Sequence, residues 1–251
     1  MAYGKSIELF LVNGTADSLI TAELSNWNGK AIKIPRIEVP TCSREDIKQA
    51  GVYFLFCKED NGKDSVYIGE AENVKERLIQ HLRDAQAEKE KYYWNTAVIF
   101  IGRDLNKALI RYLENRFVEI ARQCNRYEVL TKNTYKNTVL KESQVASMEE
   151  FVDNVRILIN ALGYKVLDAY TNAIPKENPV GDTEKKEDIK LYLERVIKNV
   201  GKIEAQGTIT SEGFIVLKGS QISPVDDNTV PDTIKEQRCT CLLYTSDAAD
   251  E

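Results

Sequence analysis

The sequence predicts an α+β fold: a small antiparallel sheet flanked by helices, preceded by a β-rich element and followed by a small C-terminal unit. Two observations carry this. Short runs of β-branched and aromatic residues, bounded by Asn-Gly pairs, dominate the first hundred positions. Segments with apolar residues three and four apart are interspersed with them and continue after them.

Taken in order, IELFLV reads as a strand ending at the turn signal Asn13-Gly14, and a second turn at Asn28-Gly29 leads into AIKIPRIEVP. Residues 1–45 are expected to form the β-rich element, and no chemistry is assigned to it. GVYFLF, from Gly51 to Phe56, is the next strand. A polar loop with Asn61-Gly62, a pair suited to tight hairpins, leads to the return strand VYIG, from Val66 to Gly69. Asn73 with Glu76 three residues on fits a capping box, and Val74, Leu78, Leu82 and Ala85 give the following helix its apolar stripe. AVIFIG, from Ala97 to Gly102, is apolar on both faces and reads as a buried strand. A helix is expected from about Asn106 to Cys124, with Leu109, Leu113, Phe117 and Ile120 inward, and another from about Met148 to Leu162. The core with its following helix thus spans 46–165. Residues 171–187, rich in Pro, Gly and charge, read as a linker. IEAQGTIT and GFIVLKGS look like a hairpin within a small unit over 188–240. The last eleven residues, CLLYTSDAADE, resemble a translated sequencing adapter, so 241–251 are expected to be non-native and the small unit truncated.

The bulk numbers exclude several classes. Of 251 residues, 43 % are hydrophobic and 29 % charged, the mix of a globular protein. No run is apolar enough to span a bilayer and no signal peptide is evident, so a cytoplasmic protein without membrane contact is expected. The five cysteines, Cys42, Cys57, Cys124, Cys239 and Cys241, include no CxxC pair, which argues for free thiols and against structural zinc. The lone histidine, His81, excludes any two-histidine site. A net charge of −5 opposes the coating of long nucleic acids but leaves room for a local basic site.

Several residues carry possible chemistry, and each has an ordinary structural explanation beside it. Glu114 flanks an apolar helical stripe, where a carboxylate needs a metal or a cation; a salt bridge to Arg111 or Arg77, or a boundary side chain bent out to solvent, is the plainer reading. Arg77 and His81 stand four apart on one helix edge, suited to a phosphodiester or simply to the surface. Tyr53 and Tyr67 lie on the paired strands, where tyrosines usually pack; catalysis by one needs its phenol acidified by a cation.

The ordered set changes the weighting. Gly51-Val52-Tyr53, then Tyr67-Ile68-Gly69, then Arg77, His81 and Glu114 in RYLENRF resemble the GIY-YIG nuclease family, over roughly Gly51 to Asn125. The flanks SIELFLV and SNWNGKAIKIPR resemble a bacterial subgroup of it, and GTITSEGFIVLKGS a small accompanying domain of unknown function. The resemblance implies a three-stranded antiparallel sheet flanked by helices and an endonuclease using one divalent ion, Mg²⁺ or Mn²⁺, held by Glu114. It implies Tyr53 as general base, Tyr67 and Arg77 positioning water and charge, and His81 assisting proton transfer or orienting Tyr53. Gly51 and Gly69 would allow close backbone approach, and with Arg77 and Asn125 they are the expected substrate contacts. The expected partner is nucleic acid, DNA before RNA. A non-catalytic nucleic-acid-binding module of the same fold is the alternative.

One geometric condition follows. A two-residue turn at Asn61-Gly62 would pair Phe56 with Tyr67 and put the two tyrosines on opposite faces. A shared site requires a bulge or an odd-length loop between Phe56 and Val66.

Overall fold

A computed structural model of the chain describes residues 4–58, 64–87, 93–132, 139–169, 190–197, 201–210, 213–217 and 219–221. The expected linker 171–187 and tail 241–251 lie outside them. The chain divides into two units, Met1–Ala173 and Ile174–Glu251.

Among the described residues of the first unit, the strands are β1 (Ile7–Leu11), β2 (Ile20–Leu24), β3 (Gly29–Pro35), β4 (Gly51–Lys58), β5 (Asp64–Ala71), β6 (Trp94–Gly102) and β7 (Glu128–Val129). The helices are α1 (Val74–Gln86), α2 (Lys107–Cys124) and α3 (Glu142–Ala161). The α+β class is as expected, but the sheet is not three-stranded. It has seven strands in the order β1-β2-β3-β6-β4-β5-β7. The reason is the outer edge of β6. Its apolar residues would leave an unpaired ladder exposed, and β3 closes it antiparallel, with Ile32 opposite Ile99 and Ile34 opposite Ala97. The N-terminal strands therefore extend the central sheet, and β7 adds a short parallel pairing to β5.

Strand alternation gives β4 two buried faces. Val52, Phe54 and Phe56 pack with Leu113 and Phe117 of α2 and with Phe151 and Leu158 of α3. Tyr53, Leu55 and Cys57 face the other way, toward Val74 and Leu78 of α1 and toward Trp94. A phenol thus sits in an otherwise apolar layer.

The hairpin register meets the geometric condition. Leu55 pairs with Tyr67 and Tyr53 with Gly69, so Tyr53 and Tyr67 share a face. Lys58 pairs with Asp64, which leaves an odd count of five residues between them; Asn61 and Gly62 fall in that stretch, outside the described residues.

Both core helices start where expected, α1 at the expected Asn73 cap and α2 after Asn106, which proves to be its cap. The Asn73 side chain accepts from the Glu76 N–H, and Asn106 accepts from those of Ala108 and Leu109. α3 begins at Glu142, earlier than Met148. In the second unit, β8 (Lys190–Ile197), β9 (Gly201–Thr210) and β10 (Gly213–Val216) form an antiparallel sheet. The β9–β10 hairpin was expected and β8 was not. No helix among the described residues is long and apolar enough to cross a membrane.

Candidate active site

Two strands and two helices of the first unit build one cleft of about 620 Å³. Its lining includes Tyr53, Tyr67, Glu70, Arg77, Lys107 and Glu114. Four of the five motif side chains thus meet on one surface, and the fifth stands directly behind it. His81 is buried, with Nε2 2.9 Å from the Tyr53 hydroxyl. The ring centroids of His81 lie 5.6 Å from Tyr53 and 5.2 Å from Tyr67, both edge-on.

The strand register explains how the tyrosines come together. Gly69 lies opposite Tyr53, and a Cβ on Gly69 would fall 2.5 Å from the Tyr53 hydroxyl oxygen. Only glycine lets the phenol lie across β5 toward α1. Gly51 is constrained by backbone instead: its Cβ would sit 2.4 Å from the Phe100 carbonyl oxygen on β6. The close approaches at both glycines are therefore made by the protein's own atoms. The opposite edge of β5 is held by Thr131. Its hydroxyl accepts from the Ile68 N–H at 2.8 Å and donates to the Ile68 carbonyl at 2.7 Å. This pins the residue between Tyr67 and Gly69.

The α1 spacing puts Arg77 and His81 one turn apart on the edge that faces the sheet. The Arg77 guanidinium donates to both tyrosine oxygens. With Tyr53 accepting from Arg77, its hydroxyl can donate to His81 Nε2 when His81 is the Nδ1–H tautomer. Burial pushes the Tyr53 phenol well above its ordinary value, and the nearby Tyr67 adds to this while Arg77 opposes it. The cluster does not acidify Tyr53 by itself.

On α2, Glu114 is 7 % exposed. Burial raises its carboxyl to about 7, with Glu70 adding to the rise and Lys107, Arg111 and Arg77 opposing it. The plainer pairing with Arg111 or Arg77 gives way to other contacts: Arg111 Nε is 3.8 Å from Glu70 Oε1, and Arg77 serves the tyrosines. A carboxylate whose charged form burial disfavours, at the wall of an open cleft, could hold a hard divalent cation. Among the described residues no group of three or more His, Cys, Asp or Glu is placed to hold a metal ion; a single carboxylate could serve only an ion that keeps most of its water.

Asn125 is not part of this cleft. It caps the C-terminus of α2 in a left-handed conformation, φ 50°, and lines a separate depression with Arg122 and Arg126. It lies eleven positions beyond Glu114, roughly 16 Å of helix rise. A larger cleft of about 820 Å³, lined by Trp27, Arg103, Met148 and Phe151 among others, contains none of the five motif residues.

Glu70, Lys107 and Thr131 escaped the sequence reading, and Arg111 entered it only as a salt-bridge partner for Glu114. Three had a signal. Lys107, Arg111 and Glu114 are spaced i, i+4, i+7 on one helical face, and Glu70 directly follows the Tyr67-Ile68-Gly69 triplet. Thr131 had none, because its partner Ile68 is sixty-three residues away.

Residues 49–137 match the family model of the GIY-YIG catalytic domain. The chain therefore carries a domain of that nuclease family, and every motif side chain in the cleft lies within the matched span. No curated protein and no solved structure matches the chain.

Proposed function

We propose that this GIY-YIG domain is an active endonuclease that hydrolyses phosphodiester bonds of nucleic acid, DNA before RNA, with one Mg²⁺ or Mn²⁺ held by Glu114. The supporting observation is the convergence of Tyr53, Tyr67, Arg77 and Glu114 on one cleft, with His81 hydrogen-bonded behind Tyr53. The divalent ion, when bound, would polarise the scissile phosphate and stabilise the leaving oxygen.

The protein's own groups supply the rest. The Tyr53 oxygen takes a proton from the attacking water while its own hydroxyl proton passes to His81 Nε2. The relay avoids a free tyrosinate, which burial disfavours. The water oxygen forms the new bond to phosphorus, the opposite P–O bond breaks, and the departing oxygen is protonated by solvent. Arg77, fixed by the two phenol oxygens, faces the charge that grows on the phosphoryl oxygens. Tyr67 orients the water beside Tyr53.

The alternative, a binding module that retained the fold, does not account for Glu114. A module that only binds phosphate gains nothing from a buried carboxylate. The test uses end-labelled DNA and RNA duplexes with Mg²⁺, Mn²⁺ or EDTA. Metal-dependent products from the wild type, absent with Glu114→Ala, are expected; equal signals from both proteins would leave the binding module as the better reading.

A further inference from the structure

Glu70 is a buried acidic residue of the cleft that the reaction above does not use. It follows Gly69 on β5, and its side chain is 7 % exposed. One carboxylate oxygen, Oε2, accepts from Lys107 Nζ at 2.9 Å, and the other, Oε1, lies 3.8 Å from Arg111 Nε. Two oxygens on one centre, each facing a different cation, is the arrangement that the non-bridging oxygens of a phosphodiester would make with the same pair. The exposures are unequal. Lys107, which lines the cleft, and Arg111 beside it are 38 % and 36 % exposed, so both cations reach solvent while the carboxylate between them stays inside. Lys107 also lies 3.8 Å from the exposed Glu72.

Position gives this cluster its meaning. Arg111 and Lys107 are one and two turns from Glu114 on the same face of α2, toward its N-terminus. A strand with its scissile phosphate at Glu114 carries a neighbouring phosphate over these cations. We propose that Lys107 and Arg111 form the binding site for a non-scissile backbone phosphate, and that Glu70 is its internal stand-in, holding the cations in place and yielding them to the substrate. The inference rests on the nucleic-acid reading of the cleft. It also explains how an acidic protein keeps a basic site: the cations are partly neutralised until a polyanion competes for them, which weakens encounters with short or isolated anions.

The test is binding without catalysis. The full chain is titrated in EDTA against a fluorescent DNA duplex and its RNA counterpart, over a series of salt concentrations. Lys107→Ala and Arg111→Ala are each expected to weaken binding about fivefold or more and to flatten the slope of log affinity against log salt by about one. Lys107→Arg should keep the wild-type slope. Glu70→Gln, which preserves shape and removes the charge, should tighten metal-free binding by roughly three- to tenfold. Wild-type binding with an unchanged slope in both alanine variants, their circular dichroism intact, overturns the phosphate site. Unchanged or weaker binding by Glu70→Gln overturns its role as stand-in. A wild type that binds neither duplex overturns the nucleic-acid reading itself, and this inference with it.

Discussion

At Glu114, burial and the neighbouring Glu70 move a carboxyl from its ordinary 4.5 to about 7. The folded state therefore holds that proton more tightly than the unfolded chain does. Between pH 4.5 and 7 the unfolded chain ionises first, so stability falls as pH rises, and the loss is complete above about pH 7. Glu114→Gln removes the penalty. In thermal melts without metal at pH 8 it should be more stable than the wild type by about 1–2 kcal/mol, less than the full shift implies because the cleft admits water. At pH 4 the two should melt alike; a variant less stable at pH 8 would contradict the buried-carboxylate account. The relay gives a second prediction on this scale. Tyr53→Phe and His81→Gln should each lower the single-turnover cleavage rate by about 10²–10⁴ while leaving duplex binding in EDTA nearly unchanged. Weakened binding with an unchanged rate would make them docking residues. His81, Arg77 and both tyrosines were readable only as an ordered set, because each alone fits an ordinary packing role. Glu70 went unread because its meaning depends on cations from another element.

β5 is the element on which the site's precision depends. One neighbour, β4, sets its register, and the Thr131 hydroxyl satisfies both backbone groups of Ile68 on the other edge. Thr131→Val keeps the shape and removes both hydrogen bonds, leaving a buried N–H and C=O unpaired. A stability loss of about 2–4 kcal/mol is expected by denaturant titration, with Thr131→Ser retaining most of the wild-type value. An undiminished Thr131→Val protein would show that water reaches that edge. The strands and helices around this edge were legible to differing degrees. Asn73 announced α1 because a cap is a local hydrogen bond between near neighbours; Asn106 caps α2 in the same way, although that helix was read from its apolar spacing. The start of α3 was missed because Glu142, Ser143 and Gln144 are polar, so its apolar periodicity begins only at Met148. β2 escaped because ITAEL is short and carries Thr and Glu among its apolar residues. The odd count of the β4–β5 loop followed from requiring both tyrosines on one face, a constraint of chemistry and not of turn propensity.

Across the first unit, the seven-stranded sheet was the largest departure from expectation. Whether two apolar strands pair is decided by long-range packing, which periodicity does not report. Ala22, Ala31, Ile32 and Ile34 are fully buried by that pairing. A chain lacking residues 1–35 should therefore expose the β6 edge and elute as aggregates in size-exclusion chromatography, although it retains the whole matched domain; a soluble monomer would make β1–β3 dispensable to the core. The central claim, that the cleft between β4, β5, α1 and α2 cuts a phosphodiester backbone through Glu114, is tested most directly by nicking of supercoiled plasmid with Mg²⁺. The wild type should convert supercoiled to open-circular DNA, and Glu114→Gln, folded and as stable or more so, should not. Equal conversion by both proteins, or none by either on plasmid and RNA alike, would contradict it.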